Sequence, residues 1–319
     1  MAVYTEVTAE DLYALLERYE IGPLTAFKGI AEGVENSNYF LGAGDRQFIL
    51  TLYEKRVSAD ELPFFLGLIE HLAQNGVNCP IPVHDRGGRV LQTLAGKPAA
   101  IVTFLPGYSL QRPKPVHCRA LGEVLASLHK AGLTFPLKRA NALSLSGWTK
   151  LFTSIGGVAD KIAPGMSAAL ANALEAVSAQ WPAGLPAGII HADLFPDNVL
   201  FLNDAVSGVI DFYFACNDLL AYDLAICLNA WCFELDGSFN VTKARALING
   251  YNSVRTLEAR EVSALPLLAR GAAIRFFLTR LFDWYNTPDT AFVKRKDPME
   301  YWRKLIFHLG VDSPGAYGL

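Results

Sequence analysis

At 319 residues, 51% apolar and 18% charged, the chain is long enough for two domains and too apolar to be disordered. A net charge of −3 gives no electrostatic case for nucleic acid or an anionic membrane surface. Asp211, Asp218 and Asp223 interrupt the most apolar region, so no membrane-spanning stretch is expected.

The N-terminus has early acids and no signal-peptide core, which points to the cytoplasm. Cys79, Cys118, Cys216, Cys227 and Cys232 are odd in number and lack C-x-x-C spacing, which argues against disulfides and zinc. Nothing in the sequence calls for an obligate protein partner.

Thr8-Ala9-Glu10-Asp11 has the form of a capping box, and Leu12, Leu15, Leu16 and Tyr19 recur behind it at helical spacing. A helix from about Ala9 to Tyr19 is expected, ended by Gly22-Pro23. Three strands should follow, over Leu24–Ile30, Asn38–Leu41 and Gln47–Tyr53, the last two joined by the turn Gly42-Ala43-Gly44-Asp45. The loop between the first two runs from Gly29 through Gly33 and Asn36 to Ser37. Small residues there let backbone N–H groups approach phosphates.

Leu62, Phe65, Leu66, Ile69 and Leu72 predict a helix over Ser58–Gln74. After the turn Asp85-Arg86-Gly87-Gly88, strands are expected near Val90–Leu94 and Ala99–Phe104. Pro106-Gly107 then ends the sheet, and the domain boundary is placed there, giving domains 1–105 and 106–319. Thr103, Phe104 and Leu105 occupy the hinge position, where backbone groups would meet the adenine edge of a nucleotide.

A helix is expected over Cys118–Lys130, with His129 as a helix-end packing or capping residue. Residues 140–165 look loop-rich, and Met166–Gln180 reads as an Ala-rich helix. The informative stretch follows. His191-Ala192-Asp193-Leu194-Phe195-Pro196-Asp197-Asn198 fits H-x-D-x-x-x-x-N, and Asp211-Phe212-Tyr213 stands where kinases keep D-F-G. Between them, Val199–Leu202 and Val209-Ile210 flank a turn-rich segment, the pattern of a hairpin that would draw Asn198 and Asp211 to the same end.

The chemistry explains the residue types. Moving a phosphoryl group from ATP to an alcohol needs alignment and charge neutralisation more than covalent help. Asp193 would take the hydroxyl proton, while Asn198 and Asp211 would give oxygen ligands to Mg²⁺. The third-strand Lys that kinases use for the phosphates is absent, Thr51 standing in its place, with Lys55 and Arg56 just beyond and Glu61 or Glu70 as possible orienting acids.

Asp223 opens a hydrophobic helix as a cap that also braces the catalytic loop, with His191 in support. Helices near Val241–Tyr251 and Glu258–Asn286 complete the expected elements. In the second, Arg275 and Asp283 lie eight apart on nearly one face, a cation and an acid for an amino-acid substrate, with Trp284 beside them.

These segments resemble the aminoglycoside phosphotransferase-like kinases. Glu32–Tyr39, Ile49–Glu54, His191–Asn198 and Arg275–Trp284 together are similar to the bacterial homoserine kinases of that superfamily, over about residues 4–309. The resemblance implies an α+β, protein-kinase-like two-lobed fold, with an antiparallel sheet lobe and a larger helical lobe. It also implies ATP- and Mg²⁺-dependent phosphorylation of L-homoserine on the route to threonine, with Asp193 as base. Alternatives are a kinase of the same fold for choline, methylthioribose or an aminoglycoside, and a nucleotide-binding regulator without turnover.

Overall fold

The computed structural model describes residues 4–30, 36–54, 58–286 and 295–319. They fall into two compact units, Met1–Gly107 with Ser207–Tyr213, and Tyr108–Val206 with Phe214–Leu319. The stretch Ser207–Tyr213, beyond the sequence boundary at 106, thus groups with the first unit.

In the first unit, Thr8 caps α1 (Ala9–Leu16) by accepting the Asp11 N–H at 3.1 Å. The helix stops short of Tyr19. The Arg18 and Tyr19 amides instead close tighter turns onto Leu15 and Leu16, which still delivers Tyr19 to the core. The strands are β1 (Leu24–Gly29), β2 (Ser37–Ala43), β3 (Arg46–Leu52), β4 (Leu91–Leu94) and β5 (Lys97–Thr103), in the antiparallel order β1-β2-β3-β5-β4.

Period-two alternation turns Tyr39, Leu41, Phe48, Leu50 and Ile101 inward against Leu12, Leu15 and Leu16 of α1. α2 (Leu62–Gln74) follows a separate 3₁₀ turn, Ala59–Glu61, and does not extend back to Ser58. Pro63, with no N–H to give, sits at its start, where that loss costs nothing. The 207–213 segment is tied to the same unit: Val209 N–H reaches Asn78 O at 2.9 Å, and the Tyr213 ring meets Phe65 edge-on.

The second unit is mainly helical. Its elements are α3 (Pro115–Gly132), α4 (Leu145–Ile155), α5 (Met166–Gln180), β6 (Ala187–Ile190), β7 (Val199–Leu202), α6 (Leu220–Trp231), α7 (Val241–Val254), α8 (Ala259–Asn286) and α9 (Pro298–Leu309). β6 pairs antiparallel with β9 (Cys216–Leu219), and β7 pairs with β8 (Ala205–Val209), which carries the chain into the first unit.

Helix α4 and the 3₁₀ turn Gly156–Lys161 fill the stretch expected to be loop. Leu145, Trp148, Phe152 and Ile155 carry the helical period, but the intervening Ser and Gly obscure it. Trp148 is buried, with its indole N–H on Leu143 O at 2.6 Å. α9 lies beyond the elements expected from sequence, started by Asp297 as N-cap and Pro298. α8 corrects the expectation of no membrane-length stretch. It is long and apolar enough by composition, yet 67% of its most apolar window is buried within the protein, as a core helix requires. All five cysteines are buried free thiols.

The tightest helix pairing joins α3 and α7. A Cβ on Gly122 would collide with the carbonyl of Leu247, and one on Gly250 with that of Arg119, so glycine on both helices permits the approach. Gly122→Ala would gain about 1 kcal/mol of helix propensity. It also sets a methyl against backbone that cannot rotate away, and overpacking costs roughly 1–3 kcal/mol, occasionally more. Net destabilisation is therefore expected, measured as a lower urea midpoint; an unchanged or raised midpoint would disprove the close-contact argument.

Candidate active site

Strand β6 ends at Ile190 and delivers His191 into a loop whose backbone groups are nearly all engaged. The His191 and Ala192 amides donate to the two oxygens of Asp223, at 2.7 and 2.9 Å. Ala192 holds φ +64°, the left-handed region that costs an L-residue roughly 1 kcal/mol or more, and the carboxylate clamp on either side offsets it. Ala192 O accepts from Arg275 Nη1 at 2.5 Å, and Leu194 O from the Trp231 indole at 2.8 Å. Asp193 O accepts from the Asn198 side-chain amide and from Phe195 N–H, each at 2.8 Å. The Asp193 amide faces His191 Nδ1 at 3.3 Å.

Helices behind the loop fix Asp223 in turn. It lies in the first turn of α6, but its side chain is not the helix cap; the carboxylate is spent on the loop. His129 Nε2 donates to it at 3.2 Å, and His129 Nδ1 meets the Tyr251 hydroxyl at 2.7 Å. Of the two roles expected for it, packing or capping, His129 takes the first: it is fully buried in the last turn of α3 and links Asp223 to Tyr251. The α3–α7 glycine crossing now has a role: it brings His129 of α3 and Tyr251 of α7 to this chain of bonds. Arg255 extends it, joining Tyr251 at 3.2 Å and Glu261 at 3.1 Å.

The Asp193 carboxylate is tuned by its surroundings. Burial pushes its pKa up, the Arg275, His191 and Lys296 charges pull it back, and Asp223 adds to the rise; the net direction is upward. A base moved towards neutrality accepts a proton more readily. Asn198 turns its NH₂ onto Asp193 O, so its amide oxygen is the atom that could meet a hard cation. Among the described residues, no three His, Cys, Asp or Glu side chains form a metal cluster.

Arg275 is 1% exposed, its guanidinium 4.5 Å from the Phe276 ring centre as well as bonded to Ala192. It serves the loop. Asp283 lies two turns on, about 12 Å of helix rise. The Arg275 guanidinium is committed to Ala192 O and the Phe276 ring. Asp283 is half-buried and Trp284 is 37% exposed near the end of α8.

The remaining sequence candidates lie in the first unit. Asp211 follows the β7–β8 hairpin, exposed and with φ +64°. Gly33 lies outside the described residues, as do Lys55 and Arg56. Gly29 ends β1. The Ser37 side chain has a structural role: its buried hydroxyl accepts from the Tyr4 and Thr5 amides and donates to Glu54 at 2.7 Å. Asn36, also buried, takes the Glu54 amide at 3.4 Å.

Thr51, in the lysine's place, donates to Asn38 of the facing strand at 2.8 Å. Among the described residues, Lys97 pairs with Glu54 at 3.1 Å in this unit, and Glu70 holds His84 at 2.7 Å. Thr103 exchanges two bonds with Ile81, each 2.9 Å, and Phe104 N–H reaches Gln47 O at 3.1 Å. Leu105 packs against Gly208, where any side chain would displace it.

A family model for the phosphotransferase enzyme family matches residues 26–257. A homoserine kinase of Xanthobacter autotrophicus is 60% identical over 319 residues, covering 100% of this chain and 99% of its own. One of Rhizobium meliloti is 57% identical over 319 residues, covering 100% and 98%. Among solved structures, a spectinomycin phosphotransferase in complex with ADP and spectinomycin aligns with a TM-score of 0.68. At 16% identity over 98% of this chain and 97% of that one, the match establishes a shared fold.

Proposed function

The chain belongs to the phosphotransferase enzyme family and groups with the homoserine kinases by full-length identity, and from that premise we propose that it transfers the γ-phosphoryl group of ATP to the hydroxyl of L-homoserine. The observation that carries the reading is the Asp193 loop: a half-buried carboxylate of raised pKa on a backbone held by Asp223, Arg275, Trp231 and Asn198. A nucleotide-binding regulator has no use for so fixed a base.

In the proposed reaction the substrate hydroxyl donates a hydrogen bond to Asp193, which takes the proton as the oxygen attacks the γ-phosphorus in line; ADP leaves. Asn198 and Asp211, by their place in the pattern, would hold Mg²⁺, which neutralises charge on the phosphates. Gly29, Gly33, Asn36 and the Ser37 backbone of the first loop, with Thr103, Phe104 and Leu105 of the hinge segment, are the proposed nucleotide-binding set. Asp283 and Trp284 are proposed walls of the substrate site. Five free thiols suit a reducing compartment, and the cytoplasm is the proposed location.

The test is ADP release with Mg²⁺-ATP against homoserine, serine, threonine, choline, methylthioribose and kanamycin. Turnover confined to homoserine is expected. Preference for another alcohol would overturn the substrate, and no turnover with any would overturn the reaction.

A further inference from the structure

A homoserine molecule presents a carboxylate ~5 Å from its hydroxyl, so a cation that recognises it must stand close to Asp193. Among the described residues, the cations outside its own loop that weigh most on the Asp193 carboxylate are Arg275 and Lys296. Arg275 is buried and engaged with Ala192 and Phe276. Lys296 differs on each count. Its side chain is 58% exposed, its ammonium lies 5.2 Å from the ring centre of Phe195, two residues after Asp193, and its acidic neighbour is Asp197 at 3.7 Å. The Asp197 side chain is itself 65% exposed. Such an exposed, long pair contributes little and gives way easily to another carboxylate.

An exposed lysine is usually placed by nothing in particular. Here the residues on both sides of it are fastened. Arg295 Nη1 donates to Trp284 O at the end of α8, at 3.0 Å. Arg280 Nη1 donates to Asp297 O at 3.2 Å, and Asp297 caps α9 through the Met299 amide at 2.8 Å. Arg280 is held in turn by Glu300 at 2.6 Å and lies over the Tyr301 ring at 4.5 Å, while Lys304 grips the other oxygen of Glu300 at 2.6 Å. Arg280, Glu300 and Lys304 form a half-buried ionic staple whose effect is to set the short strap 295–297 in place. Lys296 is the strap residue left with its charge towards solvent beside Phe195.

We propose that Lys296 receives the carboxylate of the amino-acid substrate and is the residue that selects homoserine over alcohols lacking that group. The inference deepens the function proposed above and rests on it. Asp197 holds the ammonium in the free enzyme, and the incoming carboxylate replaces it, drawing the hydroxyl end towards Asp193.

The test compares homoserine with its decarboxylated analogue, aminopropanol, in the full-length enzyme and in Lys296→Met and Lys296→Arg. In Lys296→Met the KM for homoserine should rise roughly 10- to 100-fold, the range of one lost hydrogen bond to a charged group, with the KM for ATP unchanged. The preference for homoserine over aminopropanol should fall by the same factor, and Lys296→Arg should keep most of it. An unchanged preference in Lys296→Met overturns the proposal. So does a raised KM for ATP with the preference intact, which would assign the ammonium to phosphate. Absence of homoserine turnover in the unmodified enzyme overturns the parent reading instead, so the two failures are distinguishable.

Discussion

Asp193→Asn should lower kcat with homoserine by roughly 10²–10⁴-fold, the usual contribution of a positioned general base, while leaving ATP affinity within about twofold. The loop should survive the change. Its bonds to Asp193 run mainly through the main chain: the carbonyl takes Asn198 and Phe195, and the amide faces His191. The side chain's own contact, Asn198 Nδ2 to Asp193 Oδ2, is long at 3.4 Å. An amide at this position keeps the volume but loses the negative charge and the capacity to take a proton. Titration calorimetry with an ATP analogue and single-turnover ADP release separate the two effects. Turnover within tenfold of the unmodified enzyme would remove Asp193 from the role of base, and lost nucleotide affinity would recast it as part of the phosphate site.

The reaction was legible in the sequence because its residues are local: the eight positions from His191 to Asn198 carry the proposed base, one proposed metal ligand and the histidine proposed to support them. The hairpin and the Met166–Gln180 helix were legible for the same reason, each being a pattern contained in its own segment. What holds the loop was partly hidden. Asp223 was recognisable as a brace, but His129 meets it across 94 positions, and Trp231 and Arg275 reach Leu194 and Ala192 from separate helices.

No periodicity marks such partners; a buried His at the end of an apolar helix looks the same whether it caps or links. Ser37 is a second case: its place in a small-residue loop says nothing of its hydroxyl, whose partners, the N-terminal segment and Glu54, no local pattern encodes. Arg275 and Asp283 share one helix, α8, as the sequence implies, while the bond from Arg275 to Ala192 O is a long-range contact with no local signature.

Asp223→Asn should be the most damaging change outside the reacting groups, because one carboxylate answers three buried donors: the His191 amide, the Ala192 amide and His129 Nε2. An asparagine has one acceptor oxygen, and its NH₂ must face at least one of these donors, leaving an N–H buried without a partner. Hydrogen bonds to a charged group are worth about 1.5–3 kcal/mol each, and breaking a buried charged cluster costs about 3–5 kcal/mol. A loss of roughly 3 kcal/mol or more is expected in urea unfolding at pH 7.5.

The pH dependence has a definite sign. Burial pushes the Asp223 carboxyl up, but the bond from His129, the His129 and His191 charges and the His191 amide outweigh it, so its pKa in the folded protein lies below the ordinary value. The stability it contributes is therefore present above about pH 4, where an unfolded aspartate ionises, and is lost as pH falls through the lower folded value. The gap in urea midpoint between the unmodified enzyme and Asp223→Asn should be full at neutral pH and narrow only in acid.

Activity should fall further than stability explains, since the left-handed Ala192 is clamped on one side by this carboxylate and on the other carries Asp193. A shift of about 1 Å in a catalytic group costs on the order of 10² in rate, so kcat should drop by at least that much at temperatures where the variant is fully folded. Full activity in a folded Asp223→Asn would mean that Arg275, Trp231 and Asn198 hold the base without it.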